Sequence, residues 1–185
     1  LEEAITLLPQ ADVLVLSANH EQYGQRAFQQ ALNLFADAGK GVVVLHAGTW
    51  RKEWSLVSGF NKRFVGGGAA SGSHGEFTVT LKASAHPLLK GVPATFQIKD
   101  ENYHTGLDPR ATVEILAENA PDKNAPDKGK AHASVWIVKD AKARIACITL
   151  GHGTEAHSNP AFRTLLTNAV KWVGGNATGK TNDAK

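Results

Sequence analysis

Ala11-Asp12-Val13-Leu14-Val15-Leu16-Ser17, then Arg26 to Ala38, then Gly41-Val42-Val43-Val44-Leu45-His46 is the stretch that decides the fold. Its two outer runs are short, rich in β-branched residues and bounded by Gly or polar residues, the pattern of buried strands. The segment between them places Ala27, Phe28, Ala31, Leu34 and Phe35 on one helical stripe and closes at Gly39. Strand, helix and strand joined this tightly form a βαβ unit, which implies a parallel pair linked by a right-handed crossover. Parallel strands bury both faces, so helices must cover both sides. The expected class is α/β, a three-layer sandwich around a mostly parallel central sheet.

Outward from that unit, Leu1 to Leu8 reads as the end of a helix and Asn19 to Gln25 as a polar loop. Trp50 to Val57 reads as a short helix, followed by a glycine-rich stretch from Gly59 to Gly75. Glu76 to Lys82 alternates as a half-buried strand. His86 to Pro93 is a turn region, Phe96 to Lys99 a strand, and Asp100 to Pro109 a loop. Val113 to Ala117 is a further strand, and Glu118 to Lys130 reads as an exposed loop from its Pro, Asp, Asn, Lys and Gly content. Ala133 to Val138 and Arg144 to Leu150 form a hairpin. The last helix starts near Asn159-Pro160 and carries Phe162, Leu165, Leu166, Ala169, Val170 and Trp172 on its apolar side. One domain spans 1–175, and the polar stretch 176–185 reads as a disordered tail.

With 185 residues, 42% of them hydrophobic, the chain has room for one core. The formal charge of +3 comes from scattered lysines, not from a basic stripe, so no nucleic-acid partner is expected. No apolar stretch approaches the ~18 residues of a membrane span, so no membrane partner is expected either. The chain begins at Leu1 and contains no methionine, so a fragment or a processed form is expected. The single cysteine, Cys147, sits inside a strand and reads as a small buried hydrophobe.

Three apolar runs end abruptly in ionisable groups: Val42 to Leu45 in His46, Phe96 to Ile98 in Asp100 and Glu101, and Ile145 to Leu150 in Gly151-His152. In an open α/β sheet the carboxyl ends of parallel strands line the ligand crevice. His46, Glu101 and His152 are therefore the candidate catalytic residues. Glu101 is preferred to Asp100 because consecutive strand residues point to opposite sides. Trp50, His74, Asp100 and Tyr103 are candidate substrate contacts. Trp50 and Trp54, one turn apart, could pack in the core or form an aromatic platform for a ligand.

The order of Gly39-Lys40-Gly41-Val42-Val43-Val44-Leu45-His46-Ala47-Gly48, Gly66-Gly67-Gly68 to His74, His86-Pro87-Leu88-Leu89-Lys90-Gly91-Val92-Pro93, Asp100-Glu101-Asn102-Tyr103 and Thr149-Leu150-Gly151-His152-Gly153 before Asn159-Pro160-Ala161-Phe162 resembles the ThuA-like family, named for trehalose utilisation. The resemblance implies a flavodoxin-like sheet of the class I glutamine amidotransferase type. It also implies a strand and helix preceding the region where this chain starts. It implies a bacterial sugar-catabolic role, in the cytoplasm or the periplasm, on a small-molecule sugar such as a 3-keto disaccharide; a homo-oligomer stays open. In the amidotransferase relatives a nucleophilic cysteine occupies the turn that here carries His46, so glutaminase activity is not expected.

Two mechanisms fit these groups. His46, Glu101 and His152 could bind a divalent metal such as Zn²⁺ that polarises a sugar carbonyl or hydroxyl. Alternatively, a histidine and the carboxylate act as acid and base, taking the proton beside the ketone and protonating the leaving oxygen in cleavage or isomerisation. A third expectation belongs to another class: a non-catalytic carbohydrate-binding module relying on Trp50, Trp54 and Tyr103.

Overall fold

The computed structural model of the chain describes residues 1–18, 24–51, 59–82, 85–122 and 129–175. The centre of the polar loop at 19–25, nearly all of the helix expected at 50–57 with Trp54, the middle of the 118–130 loop and the tail at 176–185 lie outside the described residues. Helix α1 (Glu2–Leu7) leads through a 3-10 turn into β1 (Val13–Leu16); α2 (Arg26–Asp37) then returns the chain to β2 (Gly41–Leu45). β1 and β2 pair in parallel, Val13 opposite Gly41 and Leu16 opposite Val44. Every residue of β2 is buried. Its side chains alternate: Val42 and Val44 pack with Phe28, Leu32 and Phe35 of α2, while Val43 and Leu45 pack with Phe162, Leu165 and Ala169 on the other face. A period of two in the strand thus divides one sheet between two apolar layers.

The remaining elements are β3 (Gly67–Ala70), β4 (His74–Leu81), β5 (Thr95–Glu101), β6 (His104–Leu107), β7 (Val113–Asn119), β8 (His132–Lys139), β9 (Arg144–Ile148), α3 (Thr154–Ser158) and α4 (Pro160–Gly174). The α4 start follows from its residues: Pro160 opens the helix, and the Asn159 side-chain oxygen accepts from the amides of Ala161 and Phe162 at 3.0 and 3.2 Å. The main sheet runs β1-β2-β9-β8-β7-β4-β5. β2 also pairs with β9 in parallel, and every later pairing is antiparallel. Following those senses across the sheet, β1, β2, β9, β7 and β5 share one direction, and β8 and β4 oppose it. The carboxyl ends of β2, β9 and β5 therefore lie on one edge, together with the first residue of β4, His74.

That edge closes on itself. Four strand spacings separate β9 from β5, about 19 Å in a flat sheet. Yet the Gly151 amide just beyond β9 donates to the Asp100 carboxylate at the end of β5 at 2.7 Å. The antiparallel half must curl to make this contact. Two register shifts in β7 against β8, between Ile115 and Ala117 and between Ala117 and Glu118, supply local bending of the kind β-bulges produce. The curl wraps Phe77, Val79, Ile98, Leu88 and Leu89 around the same core that holds Val43, Leu45, Phe162 and Leu165.

Two expectations change here. β5 runs two residues further than Lys99, because Asp100 pairs with Gly75 and Glu101 with His74. The segment from Asp100 to Pro109 is not a loop throughout: β6 within it pairs antiparallel with β3, Gly67 opposite Leu107 and Ala70 opposite His104, forming a second small sheet. His104, inside that expected loop, sits in β6, while His132 opens β8 and His157 lies in α3. No helix among the described residues is long and apolar enough to cross a membrane.

Candidate functional site

His46 leaves β2 at a sharp elbow. Its φ of +41° makes it the one non-glycine residue with positive φ among the described residues. A bulky side chain held there stores strain of about 1–3 kcal/mol, which the surrounding structure must offset. The elbow is held by its own turn, in which the Thr49 hydroxyl donates to the His46 carbonyl at 2.7 Å. The His46 ring is buried, with Nδ1 2.6 Å from the Thr149 carbonyl oxygen. A carbonyl only accepts, so Nδ1 carries the proton and Nε2 of the neutral ring presents its lone pair to the cleft. Burial pushes the His46 imidazole below its ordinary value, outweighing the Thr149 carbonyl, Asp100 and Glu101, which favour the charged form. The neutral form is thus the one the site selects.

Nε2 of His46 lies 3.1 Å from His152 Nδ1 and 3.5 Å from Glu101 Oε2, and His152 Nδ1 lies 3.0 Å from the same oxygen. Glu101 is 4% exposed, whereas the His152 side chain is 50% exposed and opens the cluster to solvent. The other Glu101 oxygen accepts from the Ser71 hydroxyl. His74, opposite Glu101 across β4 and β5, brings its Nε2 to 3.9 Å from Oε2 and sets its ring edge-on to His152, with centroids 4.7 Å apart.

Asp100 points the other way, as the alternation of a strand requires. It is 6% exposed, and its carboxylate accepts from the amides of Gly151 and His152 at 2.7 and 2.9 Å and from the Glu101 amide at 2.9 Å. Asp100, expected as a substrate contact, clamps the His152 loop to the Glu101 strand and also lines the small cavity beside the cluster. Gly151 has φ of +114°, a conformation that favours glycine, and His157 of α3 donates to its carbonyl at 3.1 Å. Tyr103, also expected to meet substrate, is 3% exposed and stacks on the His46 ring with centroids 4.4 Å apart. It forms a wall behind His46. Trp50 is half-buried after the elbow, its backbone bridged to Ala69.

The structure thus brings together His46, Glu101 and His152, sets His74 beside them, and turns Asp100 and Tyr103 to supporting positions. Sequence reasoning missed Ser71, which carries no motif of its own, and the Thr149 carbonyl, since backbone acceptors leave no compositional trace. A cavity of about 130 Å³ lined by His74, Lys99, Asp100, His152 and Glu155 adjoins the cluster. A larger apolar groove of about 400 Å³ between α1 and α2, with Lys40 among its described lining residues, lies on another part of the molecule. The Cys147 thiol is fully buried, donates to the Phe64 carbonyl at 3.2 Å and is pushed up by burial, so it is no nucleophile.

The three inward atoms suit a metal ion. Ligand atoms at 2.0–2.2 Å around a tetrahedral cation are roughly 3.3–3.6 Å from one another, and the observed separations are 3.0, 3.1 and 3.5 Å. Two imidazoles and one carboxylate are a donor set of catalytic zinc sites that leaves the fourth position open. The second contacts fit as well: the remaining nitrogen of His46 donates to a carbonyl, and the remaining oxygen of Glu101 is hydrogen-bonded.

Comparisons with known proteins agree with this architecture. A ThuA-like protein from Parabacteroides merdae superposes with a TM-score of 0.77 at 21% identity, covering 96% of this chain and 74% of its own. A ThuA-like protein from Bacteroides uniformis gives 0.72 at 23% identity, covering 91% and 71%. A GMP synthase component from Thermoplasma acidophilum gives 0.58 at 12% identity, covering 95% and 78%, which shows the amidotransferase-like fold. No curated protein matches the sequence. The family model described as trehalose utilisation matches residues 2–173, nearly the whole chain, and the chain belongs to the ThuA family.

Proposed function

We propose that this chain is a carbohydrate-processing enzyme that cleaves or isomerises a 3-keto disaccharide or a related oxidised sugar, with His46, Glu101 and His152 holding a divalent cation, Zn²⁺ by the character of the donors. The observation that carries the metal is the triangle of lone-pair atoms at 3.0–3.5 Å with His46 locked in the tautomer that turns Nε2 inward. Bound there, such a cation supplies a Lewis acid for the sugar carbonyl or a neighbouring hydroxyl. A ketone acidifies the C–H beside it, and loss of that proton expels the glycosidic oxygen one carbon further on. His74, beside the cluster and 61% exposed at its side chain, is placed to take the proton and return it to the leaving oxygen. The carbohydrate substrate rests on the family; the site supports carbonyl chemistry.

A non-catalytic carbohydrate-binding module is the weaker reading, since Tyr103, one of its expected aromatic contacts, is stacked beneath His46. Calorimetric titration with Zn²⁺, run alongside a product assay on oxidised and unoxidised disaccharides, tests the proposal. Wild type should bind one equivalent and turn over the keto sugar; His46→Ala, Glu101→Gln and His152→Ala should lose binding and lower turnover at least about a hundredfold. Sugar binding without turnover, unchanged in all three variants, would establish the binding module instead.

A further inference from the structure

Between β3 and β4 the chain makes a three-residue strap, Ser71-Gly72-Ser73, that contacts the end of β5 on one side and Asp122, beyond β7, on the other. The Ser71 hydroxyl donates to Glu101 Oε1, the oxygen turned away from the histidines. The Ser73 carbonyl accepts from the Asn102 amide at 2.9 Å. The Ser73 amide donates to Asp122 Oδ2 at 2.8 Å, and His104 Nε2 lies 2.9 Å from that same oxygen. Gly72 lets the strap lie this close, since a Cβ there would fall 1.7 Å from the Asn102 carbonyl oxygen. Asp122 is 4% exposed and the half-buried His104 belongs to β6, so this acid–imidazole pair anchors an otherwise solvent-facing turn.

We propose that Ser71 is a positioning residue that decides how Glu101 meets the cation: its hydroxyl holds Oε1, leaving Oε2 alone to join His46 and His152. Asp122 and His104 hold the strap in the one place where Ser71 can do this. The inference rests on the metal-binding reading above and deepens it. A carboxylate fixed through one oxygen presents a single donor and keeps the fourth position open for substrate. Released from Ser71, the Glu101 carboxylate is free to rotate about its last bond and offer both oxygens, closing that position. Second contacts of this kind typically change metal affinity by about 10–100-fold.

The test uses the whole chain loaded with Co²⁺, whose visible absorption reports coordination number. Wild type should give an intense four-coordinate spectrum. Ser71→Ala should give a weaker, shifted spectrum and an affinity lowered by about tenfold or more. Ser71→Thr, which keeps the hydroxyl, should restore both, and Asp122→Ala should reproduce the Ser71→Ala spectrum. A Ser71→Ala spectrum and affinity identical to wild type would overturn the role of Ser71 while leaving the metal site standing. An Asp122→Ala spectrum identical to wild type would overturn the anchoring role of Asp122. Absence of any Co²⁺ spectrum in wild type would overturn the metal-binding reading, and this inference with it.

Discussion

His46 combines three properties that rarely coincide in one residue: a left-handed backbone, a buried ring and a fixed tautomer. At this strained turn the buried ring delivers a neutral nitrogen to the cleft. Burial holds the imidazole below its ordinary value of 6.5, and this gives stability a definite pH dependence. As pH falls through 6.5 the unfolded chain takes up its proton first, so the native state loses stability from there downward until native His46 is itself protonated. Thermal unfolding of the metal-free protein followed from pH 7 to pH 5 should therefore show a falling midpoint, and His46→Gln should show a shallower fall. His86, also held low by burial, adds a slope of the same sign, so the variant is compared with wild type and not with a flat line.

At the scale of the element, the decisive contact is between the end of β5 and the turn after β9. Asp100 accepts two amides of that turn, Gly151 and His152, and so fixes where the second imidazole stands. Hydrogen bonds to a charged acceptor contribute about 1.5–3 kcal/mol each. Asp100→Asn keeps the size but loses the charge and turns an amide toward donor groups. It should lower the unfolding free energy by about 1–3 kcal/mol and weaken Zn²⁺ binding, read by urea unfolding and by metal competition. Gly151→Ala acts at the other side of the same contact. A side chain at φ of +114° is strained, and its Cβ would lie 3.1 Å from the Phe162 ring. A loss of about 1–3 kcal/mol is expected, with the same weakening of metal binding.

For the molecule as a whole, one core serves both the parallel half of the sheet and the curled antiparallel half. Leu165 is fully buried in it, among residues of β2, β4, β5 and β9. Leu165→Ala should cost about 2–5 kcal/mol, seen as a lowered midpoint in a single cooperative urea transition. Because the triad joins residues from β2, β5 and the β9 turn, the cation would bind the folded chain alone. Zn²⁺ at a hundred times its dissociation constant should then raise the unfolding free energy by about 2.7 kcal/mol, and Glu101→Gln should abolish the increment. Differential scanning calorimetry with and without Zn²⁺ measures both.

The sequence by itself determined the βαβ unit, the α4 helix from Pro160 and the three strand ends that carry His46, Glu101 and His152. Those features depend on local periodicity, capping and alternation, which neighbouring residues encode. The preference for Glu101 over Asp100 came from the same source, because alternation along a strand is local. Tertiary structure decided the rest. Bulged pairing between β7 and β8 and the curl of the sheet bring β5 over β9, closing a gap of about 19 Å that a flat sheet would leave. The small β3–β6 sheet, the Ser71 contact and the clamp role of Asp100 likewise depend on chain segments that meet only after folding, and no spacing within one segment can announce a partner 30 or 50 residues away.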